Sequence, residues 1–210
     1  MPRPAPTRIV HFTHVSHLPT VASEGLLSDT RAGDVLTTEV GNRGIKDQRR
    51  RRPVEVGAGG VVADYVPFYF APRSPMLSAI YHGRVPEYTE GQDPIVYLVT
   101  SVERLIELGL TPVFTDRNAA LAVAEMSTDL SALDDLVDWE LMDATWWNNT
   151  PEDPERRERR MAECLVHQRV PWEAFAGIVT RTEARRTEAE DLLASVGVST
   201  TVKSRAEWYF

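Results

Sequence analysis

Strand-like and helix-like patterns follow one another irregularly along the chain. RIVHFTH (8–14) is a short β-branched and aromatic run that reads as a buried strand. In SHLPTVASEGLL (16–27), Leu18, Val21, Ala22 and Leu26 recur at helical spacing and Gly25 supplies a stop. From 28 to 60 no period emerges among Gly, Arg, Thr and Asp. Irregular stretches longer than about 15 residues are uncommon inside a compact domain, so this one predicts a functional or disordered loop. GGVVADYVPFYFAPRSPML (59–77) then predicts an aromatic strand broken by Pro67 and stopped by Pro72. Ser74 and Pro75 read as the N-cap and first-turn proline of a helix over MLSAIYHG.

Downstream, DPIVYLVT (93–100) predicts a buried strand, SVERLIELG a capped helix and PVFT (112–115) another strand. Asp116 reads as the cap of a helix over RNAALAVAEMS, with a further amphipathic helix over LSALDDLVDWELMDA. PEDPERRERRMAE (151–163) predicts a charged helix leading into a strand, CLVHQRVP (164–171). The tail reads as strand GIVTRT, helix EARRTEAEDLLASVG and strand VSTTVK. These short strands cannot all be joined by helical crossovers, which favours an α+β class over a doubly wound sheet. With no repeat and no linker, residues 1–210 read as a single domain, 1–7 being a flexible leader.

Composition narrows the functional classes. At 42% hydrophobic and 26% charged residues, the 210-residue chain has ordinary globular make-up and length for a substantial core. The single cysteine, Cys164, excludes an internal disulfide and a cysteine-based zinc cluster, which fits a reducing cytoplasm. No apolar run approaches the ~20 residues of a membrane span. A formal charge of -8 argues against indiscriminate adhesion to DNA, yet DQRRRRPVE (47–55) concentrates Arg49, Arg50, Arg51 and Arg52 in one place. Phosphate responds to that local potential rather than to the total.

Three groups of residues could carry chemistry. His11, His14 and His17 invite a metal reading, but they straddle a strand end and a helix start and lack a cysteine partner. Backbone-bonded structural histidines are the plainer reading. Glu163 stands between a basic helix and an apolar strand, where a lone glutamate ordinarily pairs with Arg159 or Arg160. The arginine run and APRSPML offer guanidinium forks, and Tyr65, Phe68, Tyr69 and Phe70 offer stacking faces. A solvated basic loop and aromatics alternating into a core are the corresponding bland readings.

Taken together, VHFTHVSHLPTVASEGLL, GGVVADYVPFYFAPRSPMLSAIYHG, PVFTDRNAA and RRMAECLVHQRVP resemble, in order, the DarT-type DNA ADP-ribosyltransferase toxins. The resemblance spans nearly the whole chain. It implies an ADP-ribosyltransferase-type fold, two small facing antiparallel sheets with helices around them, and NAD+ as co-substrate in the cleft between. No metal is implied. ADP-ribose would pass to a base of single-stranded DNA, thymine in the best-known branch, with a DarG-type macrodomain antitoxin as partner. Glu163 matches the family's catalytic glutamate and Arg49 its functional arginine. His11, Thr13 and His14, with Arg49, would contact NAD+; Arg49, Arg50, Arg51, Tyr65 and Arg73 would contact DNA. Transfer to protein or RNA, and a non-catalytic single-strand-binding module, are the alternatives.

Overall fold

The strand at Arg8–His14 (β1) organises the molecule. The computed structural model describes residues 1–33 and 38–210. β1 pairs antiparallel along its length with β4 (Ile95–Ser101), from Arg8↔Ser101 to His14↔Ile95. On its other edge it meets β3 (Tyr65–Tyr69) through one registered pair, Val10↔Tyr69. Beyond β4 lie β9 (Gly177–Thr180) and the parallel β10 (Val202–Ser204). Beyond β3 lie β7 (Glu163–His167), β5 (Val113–Thr115) and β6 (Met126–Ser127). The ladder order is β10-β9-β4-β1-β3-β7-β5-β6, with a separate pair of β2 (Leu26–Leu27) and β8 (Arg169–Val170). The architecture is α+β. In place of two small separate antiparallel sheets, the described residues form one eight-stranded sheet whose four-stranded halves join at Val10↔Tyr69, with β9 and β10 parallel.

Proline chemistry explains why that junction is so short. A strand residue's N–H and C=O point to the same side, and Pro67 has no N–H to offer β1. Its carbonyl is taken by the His11 ring instead, at 2.7 Å. The two halves part there, and a cleft opens.

The largest apolar cluster buries Ile9, Phe68, Leu98 and Cys164 of the sheet against α1 (Leu18–Glu24) and α9 (Glu183–Ser195). A second packs Val10, Tyr97 and Tyr209 against Leu77 and Ile80 of α4 (Pro75–Tyr81). Ser74 caps α4, accepting from Leu77 N–H at 3.2 Å, as its sequence predicts. Ser101 caps α5 (Val102–Glu107) in the same way. Within the expected leader, Arg3 Nε reaches Asp134 at 2.7 Å and Thr7 donates to Glu103 through both its N–H and its hydroxyl.

Four stretches depart from the sequence pattern. The irregular 28–60 stretch contains α2 (Asp29–Ala32) and α3 (Arg43–Arg49); α3 buries no residue, so no apolar period announced it. Asp116 caps no helix: it accepts from Glu125 N–H and pairs with Arg117, while Asn118 Oδ1 closes a turn on Ala120 N–H. LSALDDLVDWELMDA breaks into α6 (Leu133–Leu136) and α7 (Trp139–Asp143), because Asp138 caps the second piece at Leu141 N–H. The charged helix shrinks to α8 (Arg156–Arg159), and the strand after it starts at Glu163 and is interrupted at Gln168, φ +60°.

Candidate active site

A cleft of about 220 Å³ opens where β1 and β3 separate. Side chains alternate along a strand, so Tyr65, Pro67 and Tyr69 line it while Val66 and Phe68 enter the core. His11 and Thr13 face it from β1, Glu163 from the first position of β7, and Arg49 from the last residue of α3. The register sets Tyr69 directly opposite Glu163.

Glu163 is the buried acid of this wall, at 1% exposure. Its carboxylate accepts from Arg49 Nη1 at 2.9 and 3.0 Å, across 114 residues of sequence. Burial pushes its pKa up, and the opposing pull of Arg49 does not cancel that rise. Its backbone is fixed as well. Glu163 N–H donates to Thr115 Oγ1 at 3.0 Å, and that hydroxyl donates to Arg117 O at 2.6 Å. The local partners expected for Glu163 are engaged elsewhere. Arg159 pairs with Asp138 and Asp153, while Arg160 donates to the carbonyls of Leu141, Met142, Ala144 and Pro72.

Arg49 reaches the cleft on a helix moored by charge. Asn42 caps α3, and Lys46 binds both Asp29 and Glu39 at 2.5 Å. Arg50 adds a 3.1 Å pair to Asp29. Arg49 Nη2 is buried and has no protein partner among the described residues. A buried guanidinium nitrogen with an unused donor fits an oxygen-rich ligand.

His11 is neutral. Burial lowers its pKa to about 4, with Arg49 adding to the effect against the bond to Pro67. Because a carbonyl can only accept, Nδ1 carries the proton and Nε2 is left as an acceptor. Among the described residues no group of three or more His, Cys, Asp or Glu side chains is placed to hold a metal ion. His14 bonds Ser16, and His17 bonds Thr13.

Of the residues that the family resemblance implies for the site, His11, Thr13, Arg49, Tyr65 and Glu163 meet in one cleft. Four do not. His14 lies outside its lining, with Nε2 3.5 Å from Glu90. Arg50 is exposed and doubly paired, to Asp29 and Asp47. Arg51 is exposed and lines a separate groove with Arg52 and Ala120. Arg73, at φ +55°, sets its guanidinium 4.6 Å over the Phe210 ring.

Comparison with known proteins identifies this arrangement. A family model described as "ssDNA thymidine ADP-ribosyltransferase, DarT" matches residues 10–210. The chain belongs to the DarT family. The DNA ADP-ribosyl transferase of Thermus sp. (strain 2.9) is 37% identical to it over 99% of this chain and 98% of that protein. That of Escherichia coli O127:H6 is 32% identical over 99% and 95%. Thermus sp. 2.9 DarT in complex with ADP-ribosylated ssDNA superposes at a TM-score of 0.93, with 37% identity and complete coverage of both chains. The same DarT in complex with NAD+ gives 0.88, with 36% identity and 99% of each chain covered. Thermosipho africanus DarTG, at 17% identity and TM-score 0.78, shares the fold; the match covers 97% of this chain and 51% of that one.

Sequence reasoning on this DarT-family chain missed Asn118 and Thr115, and gave Tyr69 only a stacking role. The i, i+2, i+4 spacing of Tyr65, Pro67 and Tyr69 was the available signal for a cleft-facing row. Asn118, which lines the cleft, lay in a stretch whose alanines imitated a helix, and Thr115 ended the strand PVFT, where nothing local marks a hydroxyl that holds the backbone of Glu163.

Proposed function

We propose that this chain transfers ADP-ribose from NAD+ to a base of single-stranded DNA, thymine being the base in the family description. The observation that supports this most is the buried Arg49–Glu163 pair in the wall of a cleft shared with His11. NAD+ supplies an activated bond between the ribose anomeric carbon and a pyridine ring that departs neutral, taking the bonding electron pair. As that bond stretches, positive charge grows on the ribose carbon, and the Glu163 carboxylate offers fixed negative charge to it in a water-poor wall. The accepting nitrogen of the base loses a proton as it bonds that carbon. Glu163, whose proton affinity is raised by burial, is the group to take it. His11 Nε2 and the Thr13 hydroxyl hold the ribose or nicotinamide end, and Arg49 Nη2 meets a phosphate or the acceptor base.

Tyr65 does not stack on the base: at 1% exposure, with its hydroxyl on Gly59 O and its ring against that of His167, it braces the cleft wall from the core side. Arg50 is neutralised by its two aspartates, and Arg51 and Arg52 carry positive potential toward the strand. A base already unpaired spares the enzyme a few kcal/mol (order of magnitude) of unstacking, which favours single strands. The reading makes the 210 residues one ADP-ribosyltransferase unit, working in the cytoplasm as the toxin of a toxin–antitoxin pair. The partner it requires is a DarG-type macrodomain antitoxin. Among the described residues no helix is long and apolar enough to cross a membrane.

Mass spectrometry of a thymine-containing oligonucleotide incubated with NAD+ tests the proposal. The wild type is expected to add ADP-ribose, and Glu163→Gln to slow this by about 10²–10³-fold, the usual effect of removing an aimed electrostatic group. Equal labelling by both proteins would remove Glu163 from the mechanism. Label lost to protease or RNase but not to DNase would move the acceptor to protein or RNA. Salt-sensitive binding without NAD+ consumption would leave a binding module.

A further inference from the structure

His17 is the least explained side chain of the cleft. It lines the wall beside Thr13, is 4% exposed, and stands at the turn between β1 and α1. Its Nδ1 is bonded to Thr13 Oγ1 at 2.8 Å, which fixes the ring. Nε2, on the opposite edge of the ring, is buried and has no hydrogen-bond partner among the described residues. Buried polar atoms are nearly always satisfied, so an orphan on a ligand cleft marks a bond that the ligand completes. It is one of two such atoms in this wall, the other being Arg49 Nη2.

The chemistry of the missing partner follows from the charge of the ring. Burial lowers the His17 pKa, and neighbouring His14 lowers it further against the pull of Glu39. A neutral imidazole held against a wall does not compete with guanidinium for phosphate. It suits a hydroxyl or an amide, as donor or acceptor according to the tautomer the Thr13 bond selects.

We propose that His17 Nε2 is a substrate-binding group for a neutral polar portion of NAD+, a ribose hydroxyl or the nicotinamide carboxamide. This rests on the reading of the cleft as an NAD+ site. It gives the His-Phe-Thr-His-Val-Ser-His segment two imidazoles with different tasks, one bonded to Pro67 and one to Thr13.

Three substitutions separate binding from scaffolding. The amide of glutamine reaches the place of Nε2, whereas that of asparagine reaches only the place of Nδ1 and can keep the bond to Thr13. His17→Phe is expected to raise KM for NAD+ at least about tenfold while changing kcat less than about threefold, the pattern of lost binding common to ground and transition states. His17→Gln is expected to bring KM back to within about threefold of wild type, and His17→Asn to leave it high. Inhibition by the two products assigns the group contacted. Weaker inhibition of His17→Phe by ADP-ribose indicates a ribose hydroxyl, and weaker inhibition by nicotinamide the carboxamide. Rescue by His17→Asn but not His17→Gln would reduce His17 to a structural prop, as would an unchanged KM in His17→Phe. If His17→Phe does not fold, the Gln and Asn variants decide. Wild-type protein that transfers nothing from NAD+ overturns the functional reading itself and is seen before any variant is compared.

Discussion

Replacing Arg49 by methionine strips the buried acid of its counter-ion while keeping most of the side chain's apolar bulk. In the native protein one nitrogen of Arg49 serves both carboxylate oxygens at 2.9 and 3.0 Å, with side-chain exposures of 11% and 2% for the two partners. Removing one member of so buried a pair costs about 3–5 kcal/mol, because the survivor's charge is left without compensation. The acid can escape only by binding a proton. Burial already holds the Glu163 pKa above the ordinary value of 4.5, and losing Arg49 removes the main influence that restrains it. A carboxyl that binds its proton more tightly folded than unfolded weakens the fold as pH rises, from the unfolded pKa up through the folded one. The penalty of Arg49→Met is therefore largest near about pH 8. Toward about pH 5 it shrinks to roughly 1 kcal/mol, the worth of the lost hydrogen bonds. Urea unfolding followed by circular dichroism at both pH values, on wild type, Arg49→Met, Glu163→Gln and the double variant, measures this. The pH dependence of the Arg49→Met penalty should vanish when that penalty is measured in the Glu163→Gln background. An equal cost at both pH values would refute the reasoning, because Glu163 would then not be the uncompensated charge.

Three further outcomes are expected. Thr115→Val removes the acceptor of the Glu163 N–H and should lower kcat about tenfold with KM for NAD+ nearly unchanged, close to one hydrogen bond in the transition state; Thr115→Ser should restore it, and an unchanged kcat in Thr115→Val would end its positioning role. The His11 ring resonances should titrate with a midpoint of about 4, and because the folded state resists that proton, stability should fall as pH drops from about 6.5 toward about 4. A midpoint near 6.5 by NMR would contradict the burial argument. Arg51→Ala should weaken oligonucleotide binding regardless of sequence and reduce the slope of log affinity against log salt by about 0.7, the share of one phosphate on a single strand; an unaltered slope would show that Arg51 touches no phosphate.

Much of the fold was legible where side chains meet a core. RIVHFTH, IVYLVT and GIVT announce buried strands, and Ser74 and Ser101 mark helix starts by a bond made within four residues. Local rules failed where the partner was distant or charged. α3 is held by Asp29 and Glu39 rather than by an apolar stripe, and periodicity cannot register that. The alanines of NAALAVA favour a helix, but Asn118 and Asp116 spend their oxygens on turns. The resemblance to a known family placed Glu163 and Arg49 in one site. Spacing alone pointed to Arg159 or Arg160, because a pairing across 114 residues leaves no trace in a window of ten.

The two members of that pair are held by different forces. The acid is woven into a sheet and locked by packing. The cation sits on a short polar helix that adds no residue to the core clusters and is lashed to its surroundings by lysine, arginine and aspartate. Apart from Arg49 itself, sequence drift in the second segment is thus cheap for the rest of the molecule, since no core must be rebuilt to accommodate it. A lineage can exchange that piece, and with it the character of what enters the cleft, while the scaffold bearing the carboxylate stays as it was.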